Sequence, residues 1–304
     1  MTVKFTSSGE VNVKGVALRY LCEGSGLPAL VIGSAIYYPR IFSRQLRKSL
    51  RLIFMDVRHF AKRAAVPDLD KLSLETYLDD IEQVRAQLEL DRVVLIGHSH
   101  HGNLALEYAK KYPMRVSHVV LIGSPPVNVS ATVKAAQMYW TSHASEERKS
   151  TLKARRSAAR AEQLTDQITP EQAYVSDYVA DGPKYWFDMN YDAAALWQGV
   201  PVNMELIAVF RSFFSDNYEL AWDPEKLTAP ILVMMGEYDY AVPPTLWTDE
   251  QKARTNLTFH LFEHSSHTPP LEEPAAFERV LLNWLKVASQ EEKCSDVHSH
   301  QAGQ

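Results

Sequence analysis

Three residues of this 304-residue chain have the types and the order that acyl transfer to water requires. Ser99 could supply a nucleophile, His267 a general base, and Asp239 a carboxylate that holds the base in one tautomer. A neutral serine hydroxyl is a weak nucleophile, so it needs a base that takes its proton and later gives it to the leaving group. These residues therefore predict hydrolysis through a covalent acyl-enzyme.

The surroundings of Ser99 favour a nucleophile. The segment Gly97–Gly102 (GHSHHG) follows the apolar run Val93–Ile96 and opens the amphipathic segment 103–112. A buried strand, a sharp turn and a helix form the context in which a serine hydroxyl is lifted clear of the backbone. The same turn places the amide of His100 at a helix N-terminus, where it can hold an oxyanion. The alternative is an ordinary glycine-rich turn with an incidental serine.

Asp239 and His267 are expected to converge on Ser99. Each of the three residues comes just after an apolar run that predicts a strand, and the C-terminal ends of parallel strands share one edge of a sheet. Asp239 could instead be a residue of a strand-end turn. His264, three residues before His267 in the same loop, is the rival base.

Short apolar runs alternate with amphipathic segments, which predicts an α/β protein with a mostly parallel central sheet flanked by helices. Residues 11–22 alternate around Gly15 and predict a hairpin, whereas residues 40–50 predict a helix. The other predicted strands are 30–32, 52–55, 93–96, 119–122, 231–235 and 257–262, and further helices are predicted at 73–90, 103–112 and 274–288.

The alternation stops between residues 127 and 222, where the pattern is helical. We therefore predict an N-terminal part of the core at residues 1–126, a helical cap at 127–222, and a C-terminal part of the core at 223–289. Residues 290–304 are polar and are expected to form a disordered tail. Some aromatic residues of the cap are expected to line a pocket under a lid.

Composition and charge narrow the class of protein. Hydrophobic residues make up 46% and charged residues 23%, as in globular proteins, and the net charge of −5 does not indicate a nucleic acid or a membrane as partner. No apolar run is long enough to span a bilayer. Cys22 and Cys294 lie far apart and predict no disulfide, and residues 1–10 lack a signal-peptide pattern. We therefore expect a cytoplasmic enzyme with a small-molecule substrate.

Histidines gather around the predicted nucleophile, which raises the question of a metal site. Three of them, His98, His100 and His101, lie in the turn itself, and His59 is expected near it. Neighbouring residues in a turn point apart, and no carboxylate completes a ligand set. Neither a metal nor another cofactor is predicted.

Three segments resemble enzymes of the α/β-hydrolase fold: Gly97–Ser99, residues 236–243 (GEYDYAVP) and residues 266–274 (SHTPPLEEP). The resemblance covers about residues 11–288 and is to the capped, proline-iminopeptidase-like branch. It implies an α/β-hydrolase fold with an inserted all-helical cap and a catalytic triad of Ser99, Asp239 and His267. It also implies a small substrate with an amide, peptide or ester bond.

The sequence departs from this family pattern in the oxyanion loop. Ile32-Gly33-Ser34 replaces a His-Gly pair. The loss of that histidine side chain removes no backbone donor, so the amide of Ser34 is the predicted second oxyanion donor beside His100, with Ala35 next.

Two further departures place histidine where the family has glycine. His101 stands two positions after the serine, and His59 ends the segment Asp56–His59. The bulk of His101 is expected to narrow the acyl pocket or to crowd the packing behind the turn, and Gly102 could relieve part of this crowding.

Glu205 is the predicted substrate-binding residue. A helix that begins at Pro201 places it beyond the first turn, at the edge of an apolar stripe. In the branch that the sequence resembles, acidic groups of the cap hold the free amine of the substrate. The alternative is a boundary glutamate paired with a surface Lys or Arg.

Several functions fit these residues. The first is an amidase or aminopeptidase of proline-iminopeptidase type, and the second is a carboxylesterase or lactonase. A non-catalytic ligand-binding homologue is favoured only by the crowding at His101. A lyase could use the same triad without an acyl-enzyme.

Overall fold

The computed structural model describes residues 6–62, 68–165, 168–215, 218 and 226–301, with side chains up to residue 287 except that of residue 165. Eight strands form one sheet. They are β1 Thr6–Val13, β2 Val16–Glu23, β3 Leu27–Gly33, β4 Leu50–Asp56, β5 Val93–His98, β6 Val116–Ile122, β7 Ile231–Gly236 and β8 Leu257–Phe262.

The strand order β1-β2-β4-β3-β5-β6-β7-β8 makes this sheet mostly parallel. The antiparallel pairs are β1 with β2 and β2 with β4, and every other neighbouring pair is parallel. Lys14 and Gly15, with φ of 51° and 84°, close the predicted β1–β2 hairpin. The apolar runs of β5, β6 and β7 are entirely buried, as parallel strands covered on both faces must be.

Helices cover the faces of this sheet and fill the segment between β6 and β7. The longer ones are α1 Leu74–Gln87, α2 His100–Lys111, α3 Val129–His143, α4 Glu146–Thr165, α5 Pro170–Ala180, α8 Met204–Ser212 and α11 Pro274–Gln301. The short ones are α6 Gly182–Tyr185, α7 Ala194–Trp197, α9 Asp249–Lys252 and α10 Pro269–Glu272. Helices α3 to α8 occupy the segment predicted as a cap. The predicted boundary at residues 222 and 223 lies outside the described residues.

Residues 40–50 do not form the α-helix that their sequence predicts. The segment holds two short 3₁₀ turns, Tyr38–Arg40 and Leu46–Lys48. The Arg47 guanidinium donates hydrogen bonds to the carbonyl oxygens of Pro39, Phe42 and Ser43 at 2.8–2.9 Å. These tertiary hydrogen bonds take up carbonyl groups that a continuous helix would use itself.

Helix α11 is longer than predicted. It extends from Pro274 to Gln301 and so includes residues 290–301, for which the sequence predicts disorder. Gln290, Glu291, Glu292 and Lys293 are polar but have high helix propensity, so polarity alone does not end the helix. Residues 302–304 lie outside the described residues. Among the described helices, none combines the length and the apolar character that a membrane span requires.

Candidate active site

Ser99 lies at the turn between β5 and α2 in a strained conformation. Its φ of 56° and ψ of −136° are unusual for a residue with a side chain. The turn is held from both sides, because Ser99 N donates to Ile122 O at 2.8 Å and Gly102 N donates to Ser99 O at 2.9 Å. Strain of this kind is retained where a fixed geometry is needed, and here it fixes the nucleophile turn that the sequence predicts.

The close packing behind this turn falls on Gly102. A Cβ atom on Gly102 would lie 2.0 Å from Ser124 Oγ, and one on Gly97 would lie 2.5 Å from Gly102 Cα. His101 therefore does not occupy the crowded position. Its side chain is 8% exposed and lines the cavity in front of the turn, so it narrows the pocket and leaves the packing behind the turn undisturbed.

Asp239 and His267 form a buried pair. Nδ1 of His267 lies 2.7 Å from Asp239 Oδ2, and the other carboxylate oxygen accepts hydrogen bonds from the amides of Ala241 and Val242 at 2.9 and 2.7 Å. The carboxylate accepts, so Nδ1 carries the proton and Nε2 of a neutral imidazole is left with a lone pair. His264 is exposed and contacts Phe187, so the structure pairs His267 rather than its rival with the acid.

The backbone also holds His267 in place. Its amide donates to Tyr185 O at 3.1 Å, and its carbonyl oxygen accepts from His98 Nε2 at 2.8 Å. Gly123 has φ of +52°, and a Cβ atom there would lie 2.9 Å from His267 Nδ1. The space beside the imidazole therefore depends on the absence of a side chain at residue 123.

Ser99 and His267 line the same cavity of about 640 Å³. Both are within the described residues, and their side chains make no hydrogen bond with each other in this structure. Such contacts are often long before a substrate binds and shorten in the complex. The proton transfer from Ser99 to His267 therefore stays a prediction.

The two predicted oxyanion donors flank the nucleophile turn in different ways. His100 is the first residue of α2, where backbone amides have no partner inside the helix. The Ser34 hydroxyl accepts hydrogen bonds from the amides of Ile36 and Tyr37, both at 3.2 Å, and so shapes the loop after β3. The amide of Ala35, the next candidate, already donates to Asp56 Oδ1 at 2.8 Å, which removes it as a donor.

The cavity wall is largely aromatic and apolar. Among the described residues that line it, the acids and guanidinium groups are Asp177, Asp181 and Arg211. Asp181 is held by Arg156 through two hydrogen bonds of 2.5 and 2.7 Å. The aromatic lining residues outside the histidines are Tyr37, Tyr38, Phe60, Tyr174, Tyr178, Tyr185, Trp197 and Phe210.

Glu205 does not reach this cavity, so its predicted role is corrected. Its side chain is exposed and is absent from the cavity wall, whereas Met204 and Ile207 of the same helix line it. The helix begins at Met204 and not at Pro201, because the Asn203 side chain caps it by accepting from Leu206 N at 3.1 Å. Glu205 thus lies in the first turn, where a negative charge stabilises the helix dipole.

Glu272 is a site residue that the sequence did not single out, although it lies in the quoted 266–274 segment. One of its carboxylate oxygens accepts from Phe187 N in the predicted cap at 2.6 Å. The other accepts from the amides of Ser266 and Thr268, both at 3.0 Å, on either side of His267. Burial raises its pKa to about 7. Its position five residues after His267 was the only signal in the sequence.

The histidines near Ser99 do not form a metal centre. In the part of the chain that the structure describes, no group of three or more His, Cys, Asp or Glu side chains is arranged to hold a metal ion.

These buried histidines are expected to make the fold acid-sensitive. Burial lowers the pKa of His59 and of His98 to about 3 and that of His101 well below its usual range. The unfolded chain takes up these protons near pH 6.5, so it binds more protons than the folded chain between about pH 6.5 and pH 3. The free energy of unfolding should fall as the pH decreases through this window, by up to about 1.4 kcal/mol per pH unit for each histidine.

Urea unfolding between pH 8 and pH 4 measures this slope. His101→Phe should reduce it, whereas His143→Gln, a change at an exposed histidine, should leave it unchanged. An equal slope in wild type and His101→Phe would show that His101 is not held neutral in the folded chain.

A sequence model described as the alpha/beta hydrolase fold matches residues 25–274. The match spans most of the chain, so this protein belongs to the α/β-hydrolase fold family and is an α/β-hydrolase enzyme. The predicted family resemblance and fold class are thereby confirmed.

Individual relatives place the chain more closely within this family. It is 34% identical over 281 residues to the AB hydrolase superfamily protein YclE of Bacillus subtilis (strain 168), a match that covers 91% of this chain and 98% of that protein. It is 23% identical over 285 residues to a proline iminopeptidase of Heyndrickxia coagulans, covering 86% and 92%. An alpha/beta fold family hydrolase from Bacillus anthracis str. Sterne superposes with a TM-score of 0.67 at 15% identity, covering 91% of this chain and 99% of that one.

Proposed function

We propose that this enzyme is a serine hydrolase that forms and hydrolyses an acyl-enzyme at Ser99. The observation that carries the proposal is the 2.7 Å hydrogen bond from His267 Nδ1 to Asp239 Oδ2, on the cavity that Ser99 also lines. This bond leaves Nε2 of His267 free to accept the serine proton. A non-catalytic binding protein would have no need of a buried His–Asp pair or a strained serine at this position.

In the proposed acylation, Ser99 Oγ forms a bond to the substrate carbonyl carbon while its proton moves to His267 Nε2. The imidazolium, stabilised by Asp239, gives this proton to the leaving oxygen or nitrogen as its bond to carbon breaks. In the second stage water loses a proton to His267 and its oxygen bonds to the acyl carbon, and Ser99 leaves with that proton. The amides of Ser34 and His100 hold the oxyanion in both stages.

The cavity favours a small ester or amide with an apolar or aromatic body. The helical segment 127–222 acts as the cap in this proposal, because α3, α5, α6 and α8 supply part of the cavity wall that Ser99 shares. A carboxylesterase or lactonase activity needs no further charged group. The cytoplasmic location expected from the sequence belongs to the same proposal.

An aminopeptidase is the second candidate. It is supported by the relatives that are named proline iminopeptidases and by Asp177, an exposed carboxylate on the cavity wall that accepts one hydrogen bond, from Gln163 at 2.9 Å. Asp177 takes the place of Glu205 as the group that would meet a substrate amine.

A matched substrate panel separates these two activities. It consists of a 4-nitrophenyl ester, an aminoacyl 4-nitroanilide and the N-acetylated form of that anilide. We expect the wild type to cleave the ester fastest, because a phenolate leaves more readily than an anilide, and Ser99→Ala to cleave none of the three above background.

The aminopeptidase requires a strong preference for the free amine over its acetylated form. In that case Asp177→Asn should remove most of the preference, and Glu205→Gln, the matched control on the exposed face of α8, should keep it. Equal turnover of both anilides by the wild type would eliminate the aminopeptidase. Turnover of the ester by Ser99→Ala at the wild-type rate would contradict the proposed serine mechanism.

A further inference from the structure

The two histidines that stand at usual glycine positions meet in the structure. His59 Nε2 lies 3.2 Å from His101 Nε2. Their ring planes differ by 12°, and the ring centroids are 5.3 Å apart. At a nitrogen–nitrogen distance of 3.2 Å, this separation means that the two rings face each other edge to edge. Neither histidine belongs to the proposed triad.

The pair continues as a chain of hydrogen bonds toward the triad. His101 Nδ1 lies 3.1 Å from the Tyr38 hydroxyl, which lies 3.4 Å from His98 Nδ1. His98 Nε2 then lies 2.8 Å from the carbonyl oxygen of His267. We call His59, His101, Tyr38 and His98 the histidine chain, and each of its members is less than 9% exposed.

The carbonyl oxygen at the end determines where each proton lies. It can only accept, so His98 carries its proton on Nε2 and presents a lone pair at Nδ1. Tyr38 must donate to that lone pair, and its oxygen accepts from Nδ1–H of His101. The lone pair of His101 is then on Nε2, which accepts from Nε2–H of His59. Each hydrogen bond of the histidine chain thus has one donor and one acceptor, and a lone pair remains at His59 Nδ1.

This assignment requires neutral imidazoles, and burial supplies that condition. It lowers the pKa of His59 and of His98 to about 3 and that of His101 well below its usual range. Each of these rings therefore carries a single proton near pH 7.

Nδ1 of His59 is the free end of the histidine chain. The atom is buried and has no hydrogen-bond partner among the described residues, and His59 lines the cavity that contains Ser99. A buried acceptor without a donor is unfavourable in a folded protein. A bound molecule with a suitable hydrogen would supply the missing donor.

We propose that His59 Nδ1 recognises the substrate by accepting a hydrogen bond from a neutral O–H or N–H group. The inference rests on the proposed hydrolase activity and defines its substrate class: an ester or amide whose apolar or aromatic body carries such a donor. A neutral donor fits better than a cation, because the rings of Phe60 and Phe210 pack on His59 at centroid distances of 4.5 and 4.7 Å. No carboxylate contact is found for His59 within the described part of the chain.

Matched esters test this proposal. The probes are 4-nitrophenyl esters of phenylacetic acid and of its 2-, 3- and 4-hydroxy and methoxy derivatives. For the wild type, kcat/KM for at least one hydroxy ester should exceed that for its methoxy and unsubstituted counterparts by about tenfold or more. In His59→Phe, which keeps a ring but removes the acceptor, this ratio should fall close to one.

Tyr77→Phe is the matched control for a local rearrangement. The Tyr77 hydroxyl is also buried without a partner in the described chain, and its ring lies 6.1 Å from that of His59. If His59 Nδ1 were satisfied through Tyr77 instead of the substrate, this variant would lose the hydroxyl preference too. We expect Tyr77→Phe to keep both the preference and the activity of the wild type.

A measurement without mutation guards against a poorly folded variant. Long-range ¹H–¹⁵N spectra of ¹⁵N-histidine-labelled wild type should show His59 protonated at Nε2, and its Nδ1 resonance should shift when the preferred hydroxyphenylacetate is added. A proton on His59 Nδ1, or a wild type that treats all esters alike, would overturn the proposal. Labelling of Ser99 by a fluorophosphonate in His59→Phe keeps the two claims apart, because it reports the nucleophile and not the recognition of a hydroxyl group.

Discussion

Replacing Ser99 by alanine is expected to lower kcat/KM for the best ester of the panel by roughly 10³-fold or more. The variant loses the only atom that forms the covalent bond, and the rate that remains comes from binding and the oxyanion donors. The fold should be retained, because the bonds that hold the turn, Ser99 N to Ile122 O and Gly102 N to Ser99 O, are made by the backbone.

Ser117→Ala is a suitable control for this result. Ser117 is also buried, but it lies near the start of β6 and does not line the cavity. Steady-state kinetics on both variants, with circular dichroism to establish folding, measure the difference. Near-normal turnover by a folded Ser99→Ala enzyme would show that the nucleophile is elsewhere.

The second large effect is expected at His267. His267→Ala removes the base that activates Ser99 and the acid that protonates the leaving group, so kcat should again fall by roughly 10³-fold or more. Asp239 would then be left buried without the imidazole that faces it at 2.7 Å, so some loss of stability should accompany the loss of activity.

His264→Ala provides the comparison within the same loop. Its side chain is exposed, and Glu273 accepts from its backbone amide, a bond that alanine retains. We expect this variant to keep its activity within about twofold, since exposed side chains seldom affect distant chemistry. If His264→Ala were inactive and His267→Ala active, the role of base would pass to His264.

The sequence predicted the core of the molecule well, because buried parallel strands leave a strong signal. The apolar runs of β5, β6 and β7, each ended by glycine, serine or histidine, predict both the strands and the edge of the sheet at which Ser99, Asp239 and His267 meet. The triad candidates could be named because each directly follows such a strand. Their chemistry depends on residue type, which the sequence shows directly.

Features that depend on tertiary contacts were not accessible in the same way. The pattern of residues 40–50 is helical, yet the Arg47 guanidinium binds three carbonyl oxygens and holds the segment in 3₁₀ turns. Glu205 was placed wrongly because the first helical residue depends on the Asn203 cap. The contact between His59 and His101 joins residues 42 positions apart, and periodicity does not predict such a pair.

The central claim is that Ser99 forms the covalent intermediate with His267 as its base. Intact-mass analysis after treatment with a fluorophosphonate, followed by peptide mapping, tests it most directly. We predict one adduct per chain in the wild type, located on Ser99, no adduct in Ser99→Ala, and labelling slowed by at least about 100-fold in His267→Ala. An unlabelled wild type, or an adduct on another residue, would contradict the claim.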